Sequence, residues 1–302
     1  MAGQKPIIAI NADYKTGRHQ ADPCVSYLFA GYFDSIIRAG GLPVILPPYR
    51  DEQDIDQILD MVDGVVMTGG ADLDPRRDGY MLHPSIHMMS PRRESFDREL
   101  IRKVHARRIP FFGIGAGMQL LNVALGGTLF LHVAEDIASA LPHRDPHDPY
   151  HRHALVVEPG SLLDRVYGDN AVLVNSMHHM AVDDVADGFL ATAKCPDSVI
   201  EAIEYIRDDW FAFGTQFHPE AVSATVLDRR IFGEFMANVA RFSSKSFDLC
   251  FADESVQPIT KSNHKPVKER NRKKTAELFP ESVEAISAAK RSIKKARVLT
   301  RS

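Results

Sequence analysis

The stretch FFGIGAGMQLLNVALGGTLF, residues 111–130, decides how the rest of the chain is read. An apolar run ends in Gly113-Ile114-Gly115-Ala116-Gly117 and passes without a spacer into Met118–Leu125, which carries helical periodicity. A strand that turns this sharply into a helix presents its central residue, Gly115, at the carboxyl edge of a sheet. The flanking glycines permit the close approach and unusual dihedrals of such a bend. The new helix would aim free N–H groups and a positive dipole end at whatever occupies that edge.

Working outward, the first half alternates strand and helix signals. PIIAINA (6–12), LPVILPP (42–48), GVVMTGG (64–70) and PFFGIG (110–115) read as strands. Between them lie helical patterns over 28–37, 52–61 and 94–107. Repeated β-α units imply a mainly parallel sheet with helices on both faces. After residue 150 short strands dominate (HALVVE, AVLVN, FLATAK, VIEAIEY, FAFGTQF), and a helix over 222–242 closes the body. The expected organisation is one α/β domain over 1–243 and a basic, largely disordered tail over 244–302, with a helix at 281–297.

Of the 302 residues, 44% are hydrophobic and 25% charged, enough for a real core in a soluble protein. No apolar run is long enough to span a membrane, and no signal peptide is recognisable, so a cytoplasmic location is expected. The net charge of −4 conceals an asymmetry. Residues 261–302 hold 13 Lys/Arg against four Asp/Glu, so they carry +9 and the first 260 residues −13. Cys24, Cys195 and Cys250 are too few and too scattered for a disulfide framework or a zinc motif.

The elbow resembles that of class I glutamine-amidotransferase-like proteins, and more closely the γ-glutamyl-γ-aminobutyrate hydrolase branch of cysteine peptidases. Three further segments agree: TGGADLDP (68–75), VNSMHHMAV (174–182) and FGTQFHPE (213–220). The resemblance implies a flavodoxin-like three-layer α/β sandwich with a mostly parallel central sheet. It implies His218 as general base, Glu220 as the group that orients it, and Gly70 as an oxyanion-loop glycine. It also implies that Ala116, Asn175, Ser176, His178 and His179 contact ligand.

That family's elbow carries cysteine, where this chain has Gly115, followed by Ala116 in place of the usual arginine. A residue without a side chain cannot form an acyl-enzyme. The leading expectation is a non-catalytic, small-ligand-binding or regulatory relative. Alternatives are a hydrolase of γ-glutamyl or related amides using water activated by His218 and Glu220, and a scaffold or nucleic-acid-associated module using the basic tail. Met177 and Met180 beside the His pair make the expected pocket less polar than its relatives'.

GIGAG is one residue short of a dinucleotide-binding loop, and no cofactor is called for. His143, His147, His151 and His153 cluster in a proline-rich stretch that reads as a loop, so no metal is assigned. Asp72 and Asp74 read as turn and capping residues. The expected partner is a small molecule, γ-glutamyl or otherwise carboxylate-bearing. A homodimer, and an acidic protein or nucleic acid at the tail, are further candidates.

Overall fold

The computed structural model describes residues 4–17, 22–168, 172–243 and 256–258, together with Lys245, Phe247, Leu249 and Phe251. The rest of the expected tail over 244–302, including Cys250 and the expected helix at 281–297, lies outside the described residues.

The first half runs β1 (Ile7–Asn11), an antiparallel pair β2 (Asp13–Lys15) and β3 (Val25–Tyr27), α1 (Ala30–Arg38), β4 (Leu42–Leu46), α2 (Glu52–Leu59), β5 (Gly64–Met67), α3 (Pro91–Arg107), β6 (Phe111–Ile114) and α4 (Ala116–Ala124). The second half runs β7 (Leu129–Phe130), α5 (Val133–Asp136), β8 (Arg152–Val157), α6 (Leu162–Tyr167), β9 (Val172–Asn175), β10 (Ala181–Val182), β11 (Phe189–Lys194), β12 (Ile200–Tyr205), β13 (Ala212–Thr215) and α7 (Val226–Phe242).

The central sheet has the order β4-β1-β5-β6-β13-β12-β11-β8-β9. Pairing is parallel from β4 to β13 and antiparallel from β13 outward. Side chains alternate across the strands. Ala9, Val65, Met67, Phe111 and Ala212 join the layer of α2, α3 and α4. Ile8, Ile10, Val66, Phe112 and Phe213 join the layer of α1, α6 and α7. This is the expected three-layer sandwich. Leu249, Phe251 and Val256 pack on the second layer, so packed chain continues past residue 243.

Helix ends follow local chemistry and refine the expected bounds. Pro91 opens α3, three residues before the expected start, because its missing N–H costs nothing in a first turn. The closing helix begins at Val226 rather than 222. Thr225 caps it through a reciprocal box with Asp228. No helix among the described residues is long and apolar enough to cross a membrane.

Candidate active site at the elbow

At the end of β6 the chain turns into α4 through Gly115, which has φ 55° and ψ −115°. L-residues rarely adopt this conformation, and glycine holds it without the usual penalty. The turn is pinned on both sides. The Gly115 N–H donates to the Thr215 carbonyl at 2.8 Å, and the Gln119 N–H donates to the Gly115 carbonyl at 3.1 Å.

His218 stands opposite. Its Nδ1 lies 2.7 Å from Glu220 Oε1. A carboxylate only accepts, so Nδ1 carries the proton and Nε2 is the free nitrogen. A Cβ placed on Gly115 would lie 3.1 Å from that Nε2. The nitrogen therefore faces the position a nucleophile's side chain would occupy. Burial pulls the His218 pKa down, but the Glu220 carboxylate outweighs it and holds the pKa above its ordinary value. Behind the pair, the buried Tyr32 hydroxyl accepts from the Gly69 N–H at 2.9 Å. Burial first, then the Glu220 charge, push the Tyr32 pKa well up, so it stays a neutral phenol.

The loop after β5 closes the other side. Only glycine fits at 69, because a Cβ there would sit 2.6 Å from His218 Cε1. At Gly70 a Cβ would run into the Arg93 guanidinium. Arg93 is fully buried and organises this loop. Its Nη2 donates to the Gly69 carbonyl at 2.8 Å and to Thr68 Oγ1 at 3.0 Å. Its charge is met by Asp97 and Asp13, each at 3.1 Å. Burial raises Asp97 to about 6, with Arg93 and hydrogen bonds from Asn11 opposing. The sequence reading missed Arg93. Its signal was an Arg four residues before an Asp at the start of an apolar-faced helix.

An open cavity of about 770 Å³ lies above the elbow. Gly70, Gly115, Ala116, His178, His179 and His218 all line it. So do Met177, Met180 and one residue the sequence reading passed over, the exposed Arg144. Two expected ligand contacts are placed elsewhere. Asn175 clamps the end of β13: its Nδ2 donates to the His218 carbonyl at 2.7 Å, and its Oδ1 accepts from the His218 N–H at 2.8 Å. Ser176 donates to the His143 carbonyl at 2.6 Å. Both hold loops around the site and are absent from the cavity wall. Asp74 caps a 3-10 turn as expected, while Asp72 also reaches His179 Nε2 at 3.0 Å.

Neither described cysteine lines the cavity. Cys24 is exposed beside the β2–β3 pair, and Cys195 is buried, which pushes its thiol pKa up.

The histidine-rich stretch divides. His147 and His151 are surface residues. His143 and His153 instead converge with His178 and with Glu201 of β12, all four buried. The expected loop holds for His143, which is nevertheless buried, while His153 lies in β8. The sequence reading did not single out Glu201 at all. Its signal lay in β12, where Glu201 alternates onto the same face as the buried Ile203.

The peptidase C26 family model matches residues 6–220. The chain is 36% identical over 222 residues to a Mycobacterium tuberculosis protein assigned as a glutamine amidotransferase, covering 73% of this chain and 71% of that one. It is 34% identical over 215 residues to the γ-glutamyl-γ-aminobutyrate hydrolase of Escherichia coli O157:H7, covering 68% and 83%. Among solved structures, a Thermoplasma acidophilum protein assigned as a GMP synthase subunit superposes with a TM-score of 0.52 at 16% identity. That match covers 79% of this chain and 96% of the other, and it supports the fold alone.

Proposed function

The chain belongs to the peptidase C26 family of glutamine-amidotransferase-like proteins, and we propose that it keeps the family's pocket without a protein nucleophile. In this reading it binds a small γ-glutamyl or other carboxylate-bearing molecule and does not cleave it through an acyl-enzyme. The observation that carries the reading is Gly115: His218 Nε2 faces a nucleophile position that holds no side chain.

The chemistry follows from the elements in place. A thiol opposite Nε2 would lose its proton to His218, and Glu220 would stabilise the resulting imidazolium. With hydrogen at that position there is nothing to deprotonate, and neither described cysteine lines the cavity. The groups suited to an anion remain. The first turn of α4 directs N–H donors toward the elbow. Arg144 supplies a cation on the cavity wall. Ala116, Met177 and Met180 supply apolar surface, which favours a ligand with a carboxylate at one end and an aliphatic body.

The test is calorimetric titration of the purified protein with γ-glutamyl-γ-aminobutyrate, glutamine and glutarate, with amine release followed in parallel. Saturable binding without release is the expected result. Cysteine-dependent release would overturn the reading. Release that survives replacement of all three cysteines and is lost in His218→Ala would replace it with hydrolysis by His218-activated water.

A further inference from the structure

The cluster behind the pocket wall has the form of a metal site. His143 Nδ1, His153 Nε2 and His178 Nε2 lie 3.4, 3.3 and 3.2 Å from one atom, Glu201 Oε1. The Glu201 side chain is fully buried, and the three histidine side chains are 2%, 5% and 7% exposed. At this depth such groups must find partners or cost several kcal/mol. Yet His143 Nδ1, His153 Nε2 and Glu201 Oε2 have no hydrogen-bond partner.

The outer nitrogens fix the tautomers. His143 Nε2 lies 2.9 Å from Asp197 Oδ2, His153 Nδ1 lies 3.1 Å from the Ala154 carbonyl, and His178 Nδ1 lies 2.9 Å from the Met180 carbonyl. All three acceptors are oxygens that cannot donate, so these nitrogens carry the protons. In a neutral imidazole the opposite nitrogen then presents a lone pair. With all three imidazoles neutral, three lone pairs and a carboxylate would point into one small volume; without a cation, His178 Nε2 lies within hydrogen-bonding distance of Glu201 Oε1, at 3.2 Å. Histidines held in this way by a carboxylate or carbonyl on the far nitrogen are the usual outer shell of a metal centre.

We propose that His143, His153, His178 and Glu201 bind a structural divalent cation, Zn²⁺ by the character of the donors. Three observations beyond the clustering support this. Tetrahedral zinc with bonds of about 2.0–2.2 Å separates its ligand atoms by roughly 3.3–3.5 Å, close to the three distances present. Zinc with two carboxylates, Glu201 and the outer Asp197, is electrically neutral while all three imidazoles stay uncharged. Four protein ligands in a closed, buried site leave no position for water, which marks a structural rather than a catalytic zinc.

The consequence is architectural. The cation would join β8, β12, the loop before β10 and the segment around His143. Arg144, Met177 and His179, each next in sequence to a ligand, line the cavity. His178, itself one of the four ligands, lines the cavity too, so the metal would fix that part of the pocket wall directly.

The test uses the full chain and two probes, Zn²⁺ and Co²⁺. After stripping with a chelator, we expect one equivalent of Zn²⁺ to rebind and raise Tm. Co²⁺ should give the intense visible bands of a tetrahedral ion. His153→Ala should weaken Zn²⁺ binding beyond the about 10–100-fold loss expected for the outer-shell change Asp197→Asn. His147→Ala, at the surface, should change nothing. A wild-type chain that neither rebinds Zn²⁺ nor gives the Co²⁺ spectrum overturns the proposal, even if every variant fails to fold. Binding that is equally lost in His147→Ala, or unaffected by His153→Ala, also overturns it.

Discussion

At the elbow, one histidine has a carboxylate behind it and an open cavity with no side chain in front. In the buried cluster, three histidines and a carboxylate face one another, and only His178 also borders the cavity. The segment from Asn175 to Met180 serves both: Asn175 grips the backbone of His218, and His178 enters the cluster. The difference separates two uses of the same residue type. A reactive histidine needs an unmatched nitrogen and access. A structural one needs every nitrogen matched and no access. The elbow meets the first condition and lacks its reactant, while the cluster meets the second once a cation is included.

The contrast can be broken most forcefully at Glu201. In metal-stripped protein, Glu201→Ala removes the carboxylate on which three buried histidines converge. Urea unfolding should show a loss of about 3–5 kcal/mol, the usual cost of removing one partner from a buried charged network. At the elbow, by contrast, Glu220→Gln should leave folding nearly intact. An equal loss at both positions would erase the distinction.

Asn175→Ala comes next. It leaves the backbone N–H and carbonyl of His218 without their side-chain partner, and each such group costs about 1–3 kcal/mol when buried. The effect should also appear as broadening of the His218 ring resonances, because the strand end that carries them is released. Gly115→Ala should cost about 1–3 kcal/mol, since a side chain is then forced into the glycine conformation. A neutral or stabilising result would mean that the turn has relaxed away from the geometry described.

The smallest effect is a pH dependence. The folded His218 pKa is raised, by the net pull of Glu220 against burial. The stability from this pair is therefore fully present below the unfolded value of about 6.5 and is lost as pH rises through the folded pKa. The wild-type advantage over Glu220→Gln, followed by urea midpoints from pH 5.5 to 9, should shrink with rising pH. An advantage that grows over that range would assign the wrong sign to the pair.

The parallel half of the fold is legible because its strands are short apolar runs, two of which, GVVMTGG and PFFGIG, run into glycines. Ile8, Ile10, Val66 and Phe112 are buried on one face while Ala9, Val65 and Phe111 are buried on the other, so the pattern is continuous rather than alternating. His218, Glu220, Gly70 and Gly115 were legible because each sits at a strand end within a recognisable segment. The cluster was not. Its members come from positions 143, 153, 178 and 201, and only the antiparallel pairing of β8, β9, β11 and β12 brings those strands side by side. Locally, His153 looks like one histidine among four in a polar stretch. The clue was its alternation with buried Leu155 along β8, which puts it on an inward face. Asn175 and Ser176 hydrogen-bond the backbone of His218 and His143, a role that polar residues in a pocket motif can take as readily as holding a ligand.

An elbow that keeps its frame and has only lost its nucleophile should regain chemistry when a thiol is restored. This is tested most directly by intact-mass spectrometry of the wild-type chain and Gly115→Cys, each incubated with γ-glutamyl-γ-aminobutyrate. The wild-type mass should stay unmodified, and the variant should gain a γ-glutamyl increment that disappears in Gly115→Cys/His218→Ala. An increment on the wild-type chain, or none on a folded Gly115→Cys chain, would contradict this reading of the elbow.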